Sequence, residues 1–474
     1  MRKIDLIIHA GHMYTLEGKG LGYRQGYSLA IDSGRISVIA PREEINGAYT
    51  AERVIDEPAM LALPGFIDAH MHTGHATYRG VAQDIANWMM EGIGPFAQAT
   101  SRAAHDAGSR LAIAEAVLGG TTTIGDYGRD MDEVARFIAK IGVRGNLIVR
   151  VRGAVERLYT AGELYELSES LADESLAEFH SFYDAYNGFD NGRIRVYPGP
   201  QGADFVSMKT LSRVRDIAKE KGCKLHMHLS QGSRETAQMM ARYGKRTIPY
   251  LRELNYLDDS VVGIHLTDAT DEEAALAASL GVSMALCSAS IGIIDGIVPP
   301  ARACMAAGGA VALGSDQAPG NNAHSMLNEM RMTALFNKIA AGDPEEMPAW
   351  KVLRMATIEG AKALGIGELT GSLEEGKAAD VILVDLNHIS MLPTIMSPMR
   401  NLVPNLVYSA DRAAVDTVIA AGNIITRHHQ PVSFDLEAIK AEAQSFSGAI
   451  GEAAAQSFWS IGGKNAAYMK EDKL

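Results

Sequence analysis

Four short runs of this chain end in residues that bind metals or move protons. His70 and His72 stand two apart in Phe66-Ile-Asp-Ala-His-Met-His72, and His226 and His228 do the same in Lys224-Leu-His-Met-His228. His265 closes Ser260-Val-Val-Gly-Ile-His265, and Ser315-Asp316 follows Ala310-Val-Ala-Leu-Gly314. Residues i and i+2 of a strand point to the same side, so a His-x-His pair can offer both imidazoles to one ion. One such pair is a weak signal, because histidines at that spacing are common packing residues. Four strand ends of this kind are hard to attribute to packing. Three imidazoles and one carboxylate suit a divalent first-row metal: zinc first, with iron, cobalt or manganese as alternatives. Such an ion lowers the pKa of a bound water toward neutrality, and a carboxylate beside it can take the proton. The strand Arg193-Ile-Arg-Val-Tyr is followed by Pro198-Gly-Pro-Gln-Gly202. No lysine stands there to bridge a second ion, so a mononuclear centre is expected.

The elements that must position these residues alternate. Ser101–Leu118 reads as an Ala-rich helix, Gly120–Asp126 as a strand, Met131–Ile141 as a helix and Leu211–Lys221 as a helix before the His226/His228 strand. Asp271–Leu280 is a helix between the strand ending at His265 and Val282–Leu286. A βα rhythm over this length predicts a parallel sheet, and in a closed barrel the strand ends converge on one rim, where barrel enzymes keep their sites. Both termini read differently. Ser28–Asp32 and Arg35–Ile39 flank Ser33-Gly34, and Asp416–Ala420 and Ile424–Thr426 flank Ala421-Gly422-Asn423, two hairpin patterns. The expected organisation is a composite β domain from 1–60 and 370–432, a barrel over 61–369, and a helical tail over 433–474.

The chain has 474 residues, 47% hydrophobic and 21% charged, which fits a folded globular protein. No apolar run approaches the ~18–20 residues of a membrane helix, so no membrane partner is expected. Net charge is −13 and no basic cluster tracks a phosphate backbone, so nucleic acid is not an expected partner. Three scattered cysteines, Cys223, Cys287 and Cys304, make no disulfide framework and suit a reducing cytoplasm.

The chain resembles the amidohydrolase superfamily over nearly its whole length. The resemblance rests on Leu63–His72, Gly119–Asp126, Leu225–Ser230, Leu313–Asp316 and the tail Gly371-Ser-Leu-Glu-Glu-Gly-Lys-Ala-Ala-Asp380. Arg79-Gly80, Trp88, Asn321-Asn322 and Asn328–Arg331 resemble the s-triazine hydrolases and the methylthioadenosine/S-adenosylhomocysteine deaminases. The resemblance implies a distorted (β/α)8 barrel with a β-sandwich built from both termini, and a homodimer or higher homo-oligomer. It also implies metal ligands at His70, His72, His228 and Asp316, with His265 orienting nucleophile and substrate and Asp316 shuttling the proton.

One position departs from the pattern. That subgroup has His-x-x-Glu, with the Glu protonating a ring nitrogen, where this chain has His228-Leu-Ser-Gln231. Gln hydrogen-bonds but donates no catalytic proton, and a general acid is worth about 10²–10⁴ in rate. Either Glu235 reaches back, or a local insertion shifts the register, or the substrate needs no ring protonation. Taken at face value, Gln231 favours attack on a carbonyl-type carbon, as in a small apolar urea, carbamate, thiocarbamate or amide. Phenylurea and molinate hydrolases are superfamily members of that kind. The alternative is a deaminase or chlorohydrolase acting on an N-heteroaromatic ring. His75, Trp88, Asp126, Gln201, His226 and Asn322 are candidate substrate contacts; for His75 and Trp88 packing is an equal reading, and Asp126 is also placed to cap the helix after its strand.

Overall fold

A computed structural model of the chain describes residues 1–157, 159 and 162–474. The N-terminal strands are β1 (Arg2–Tyr14), β2 (Tyr23–Gln25), β3 (Tyr27–Asp32), β4 (Arg35–Pro41) and β5 (Tyr49–Pro64). The central strands are β6 (Phe66–Met71), β7 (Thr121–Gly128), β8 (Arg144–Val151), β9 (Ile194–Pro200), β10 (Leu225–Leu229), β11 (Val261–His265), β12 (Ser283–Leu286) and β13 (Val311–Leu313). The C-terminal strands are β14 (Val381–Asp385), β15 (Val415–Ala420), β16 (Asn423–Arg427) and β17 (Gln430–Pro431).

The strands from the two ends form one nine-stranded sheet, in the order β17-β16-β15-β14-β5-β1-β3-β4 with β2 on β1. The two halves meet where β14 runs antiparallel to β5, Leu383 opposite Ala62. Leu6, Ile8, Leu29, Ile31, Leu383 and Ile419 pack in one cluster, while Ile4, Ile7, Ala30 and Ile45 form another. The hairpins at Ser33-Gly34 and Ala421-Gly422 are present as β3–β4 and β15–β16. Residues 42–48, unassigned in the sequence, form a short helix with Glu43 and Glu44 in its first turn, where they complement the helix dipole.

The central strands make two four-stranded parallel sheets, β6-β7-β8-β9 and β10-β11-β12-β13. Every residue of β6, β10 and β11 is buried, as expected of parallel strands covered on both faces. That is why these strands read as apolar runs without alternation. Helices join consecutive strands: Arg102–Leu118, capped by the Ser101 hydroxyl, leads into β7, and Asp271–Ser279, with a capping box at Thr270 and Glu273, leads into β12. The ring closes between first and last strands. Asp316 N donates to the His70 carbonyl at 2.8 Å and His72 N donates to the Asp316 carbonyl at 3.0 Å. At Gly314 an added Cβ would lie 2.9 Å from His70 N and Cβ, so this seam admits only glycine.

The barrel is fastened to the terminal sheet by a buried ion pair. Arg144 Nε, at the start of β8, donates to Asp380 Oδ2 at 2.6 Å. Asp380 also accepts from Thr370 Oγ1 and from Ala421 N, each at 2.7 Å. The tail forms helices Leu436–Ser445, Ser447–Ile461 and Lys464–Lys470. It packs on the barrel's flank through Phe96–Phe458 ring contact and an Arg110–Glu442 ion pair. No described helix is long and apolar enough to cross a membrane.

Candidate metal centre and active site

His70, His72, His228, His265 and Asp316 meet at the C-terminal rim of the barrel. One ligand atom from each of His70, His72 and His228 lies within 4.8 Å of the others, and the same holds for His70, His265 and Asp316. His70 joins both groups, so the five side chains surround one point. Asp316 Oδ1 is 3.6 Å from His70 Nε2 and 3.5 Å from His72 Nε2.

Neighbouring groups aim these side chains. His72 Nδ1 donates to the Tyr127 carbonyl and His228 Nδ1 to the Gln201 carbonyl, each at 2.9 Å. Both bonds turn Nε2 toward the cluster and fix the tautomer that a metal requires. Ser290 Oγ donates to Asp316 Oδ2 at 2.5 Å, which holds the carboxylate with Oδ1 toward the histidines. His265 and Asp316 have φ of 73° and 58°, a strained conformation for such residues that costs roughly 1–3 kcal/mol each. The bond from Leu266 N to the Leu229 carbonyl and the seam at Asp316 hold them there.

The residues fit a divalent ion. Both ring nitrogens of His70 and Nδ1 of His265 are buried without a hydrogen-bond partner among the described residues, a state that buried polar atoms rarely keep. Burial, followed by the neighbouring imidazoles, holds His70 well below the usual histidine range, and burial does most of the same at His72 and His228. Neutral imidazole is the ligand form. Burial alone would raise Asp316, but His265, His72, the Ser290 hydroxyl and His228 together pull it below the usual range, so it is a carboxylate.

The other sequence candidates divide. His75 stacks on His72 with ring centres 5.4 Å apart. Trp88 lies in the short helix Trp88–Ile93, and its indole donates to Asp295 Oδ1 at 3.2 Å. Gln201 contributes its carbonyl to His228. Asp126 is committed elsewhere: it accepts from Thr73 N and, at 2.6 Å, from Thr73 Oγ1, fixing the turn after His72. It therefore braces the ligand loop instead of facing substrate. Asn322 is also a brace, its Oδ1 accepting from Gln83 and its carbonyl from Arg79. His226 lies deeper on β10 than His228, fully buried with its ring 5.2 Å from that of Tyr197, and stands outside the metal group.

Glu235 does not reach back to the centre. Its Oε1 accepts from Ser230 N and Thr247 Oγ1, and its Oε2 from Gln231 N. The carboxylate is enclosed by the turn it stabilises. Gln231 is half-buried; its Oε1 accepts from Arg234 at 3.5 Å, and its amide nitrogen has no partner among the described residues. Arg234 also lies 3.5 Å from Asp204 and rests on the Phe205 ring.

The sequence did not single out several supporting groups. Ser290 follows Cys287 by three residues, and nothing local showed that its hydroxyl meets Asp316. Asp68 takes Ser315 Oγ at 2.5 Å and Ser315 N at 2.9 Å, and Ser315 Oγ lies 2.9 Å from His324 Nδ1. Glu329 accepts from Ala289 N and Asn321 Nδ2, tying the β12 and β13 loops together. Its only sequence signal was the Asn328–Arg331 stretch.

Comparisons with known proteins agree with this geometry. The model of the Amidohydrolase family matches residues 61–425. A 5-methylthioadenosine/S-adenosylhomocysteine deaminase of Moorella thermoacetica is 34% identical over 416 residues, 87% of this chain and 93% of that protein. The crystal structure of an adenosine deaminase from Xanthomonas campestris with bound zinc superposes with a TM-score of 0.86 at 28% identity, covering 95% of this chain and 99% of that one. Atrazine chlorohydrolase of Arthrobacter aurescens complexed with zinc shares the fold, with a TM-score of 0.82 at 21% identity over 93% of this chain and 100% of that one.

Proposed function

The chain belongs to the amidohydrolase family, and on that premise we propose that it is an aminohydrolase that replaces an exocyclic amino group on an N-heteroaromatic ring with oxygen from water. The observation that carries this reading is the convergence of His70, His72, His228, His265 and Asp316 on one rim, in a chain with deaminase relatives along most of its length. Gln231 alone favours a carbonyl-type substrate, whereas the deaminase relatives along most of the chain favour the ring amine.

His70, His72, His228 and Asp316 would hold a divalent ion, zinc by analogy with the zinc-bearing relative. When bound, the ion supplies the Lewis acidity that brings water toward ionisation at neutral pH. Asp316 is ionised, with Oδ2 held by Ser290 and Oδ1 facing His70 and His72, so it is placed to accept the water proton and return it to the departing nitrogen. His265, fully buried and neutral, orients the nucleophile and meets the charge that develops on the attacked centre. Gln231 presents its amide N–H₂ to a ring nitrogen as a hydrogen-bond donor. A donor of that kind suits rings that are already electron-poor.

One observation supports a second reading. The rim carries no acid at 231, and Glu235 is bonded to backbone, so ring protonation lacks the usual donor. A urea, carbamate or thiocarbamate carbonyl needs none. The test is a product panel on the zinc-loaded protein: adenosine and 5′-thioadenosine analogues, aminotriazines, phenylureas and thiocarbamates. Ammonia release from the ring amines is the expected result. Amine or thiol release from the ureas and thiocarbamates, with no ammonia from any ring, overturns the proposal in favour of the second reading.

A further inference from the structure

We propose that the cleft between the terminal sheet and the start of β8 and β9 is a binding site for a compact phosphate-bearing anion. The cleft has a volume of about 540 Å³, within the range of small-molecule sites. It lies at the N-terminal end of the barrel strands, opposite the metal centre. Arg35 and Arg53 enter it from the terminal sheet, and Arg144, Arg193 and Arg195 from the barrel.

Five guanidinium groups in one cleft run against a chain of net charge −13. Two are already neutralised: Arg144 by Asp380 and Arg193 by Asp190. Asp5, the one acid lining the cleft, has Oδ2 engaged by Ser33 N at 2.7 Å. The other three have no carboxylate within ion-pair distance among the described residues. Arg35 donates to the Gly376 carbonyl and Arg53 to the Gly422 carbonyl, while Arg195 lies beside the Tyr197 hydroxyl. Each keeps further N–H donors available, since a guanidinium carries five. Planar forks of this kind match phosphate oxygens in pairs. Among the described residues no aromatic ring lines the cleft, so they offer no platform on which a base could stack. The chemistry it reads is that of the phosphates. Because the free arginines come from both domains, a bound anion would bridge them beside the Arg144–Asp380 pair and stabilise their junction.

The test compares binding to the zinc-loaded full chain with binding to Arg53→Gln/Arg195→Gln, by calorimetry and thermal denaturation. Tripolyphosphate is the probe, against sodium chloride at matched ionic strength. Withdrawal of metal by the probe acts equally on both proteins, so their difference isolates the cleft. The expected result is saturable binding at one site, a rise in Tm, and affinity at least tenfold weaker in the double variant with unchanged turnover. Arg53→Glu, at an exposed position, is the second variant should the double one fold poorly, with the same expected loss. ATP provides the second arm: affinity equal to tripolyphosphate shows that the phosphates alone are read. Binding equal in parent and variants, or no binding beyond the chloride control, overturns the proposal.

Discussion

Replacing Ser290 with alanine tests how the proposed base is held. Ser290 and Asp316 are 0% and 3% exposed, and their 2.5 Å hydrogen bond engages Oδ2 and leaves Oδ1 facing His70 and His72. The substitution deletes a charge-assisted bond to a buried carboxylate, so Oδ2 loses the donor that sets its orientation. A bond to a charged group contributes about 1.5–3 kcal/mol. If that loss falls on the reacting state, the rate drops about 10- to 150-fold, in line with the 10- to 100-fold cost typical when a metal ligand's support is removed. The assay is steady-state turnover with the substrate found by the product panel, together with zinc per chain and Tm. We expect kcat to fall within that range, KM to change little, and Tm to stay within a few degrees of the parent. Unchanged kcat with unchanged zinc content would refute the positioning role of Ser290.

Gln231→Glu should raise ammonia release from purine-type rings by an order of magnitude or more, since it restores an acid at the family's position; no gain would remove residue 231 from the reacting region. Glu235→Gln should lower kcat less than tenfold, because its carboxylate faces backbone; a loss of 10²-fold or more would mark Glu235 as the acid. The same variant has a stability signature. Burial pushes Glu235 up to about 7, so between its unfolded and folded pKa the native state retains a proton that the unfolded chain has released. Stability should therefore fall as pH rises from about 4.5 to 7, at up to roughly 1.4 kcal/mol per unit; urea titrations across that window should show a shallower fall in Glu235→Gln. Asp380→Ala strands Arg144 in the interior and should cost about 3–5 kcal/mol, read from denaturant midpoints; a loss below 1 kcal/mol would show that the pair does not fasten the two domains.

The clustered histidines were legible because each lies on or directly after a short apolar strand, and strand geometry fixes where i and i+2 point. Asp316 was legible by its place just past such a strand, two residues after Gly314. What could not be read were the bonds between loops distant in sequence. Asp126 looked like a rim acid, yet its oxygens are spent on Thr73. Gln201 acts through a carbonyl, which any residue supplies equally, so its side chain carried no signal. His226 matched His228 in spacing but lies deeper on the same strand. The sheet of the two termini was visible as hairpins, while the pairing of β5 with β14 depends on strands more than three hundred residues apart, which no local pattern encodes.

The seam between β6 and β13 gives the chain an order of assembly. His70 and His72 are made early in synthesis and Asp316 some two hundred and forty residues later, and the backbone bonds joining these strands run through the same residues that face the proposed ion. Contacts of such long range are the slow ones to form. A nascent or truncated chain lacking β13 and Asp316 has the paired histidines but not the carboxylate, and so lacks part of the candidate site for a divalent ion. On the proposed reading, metal retention would report finished topology.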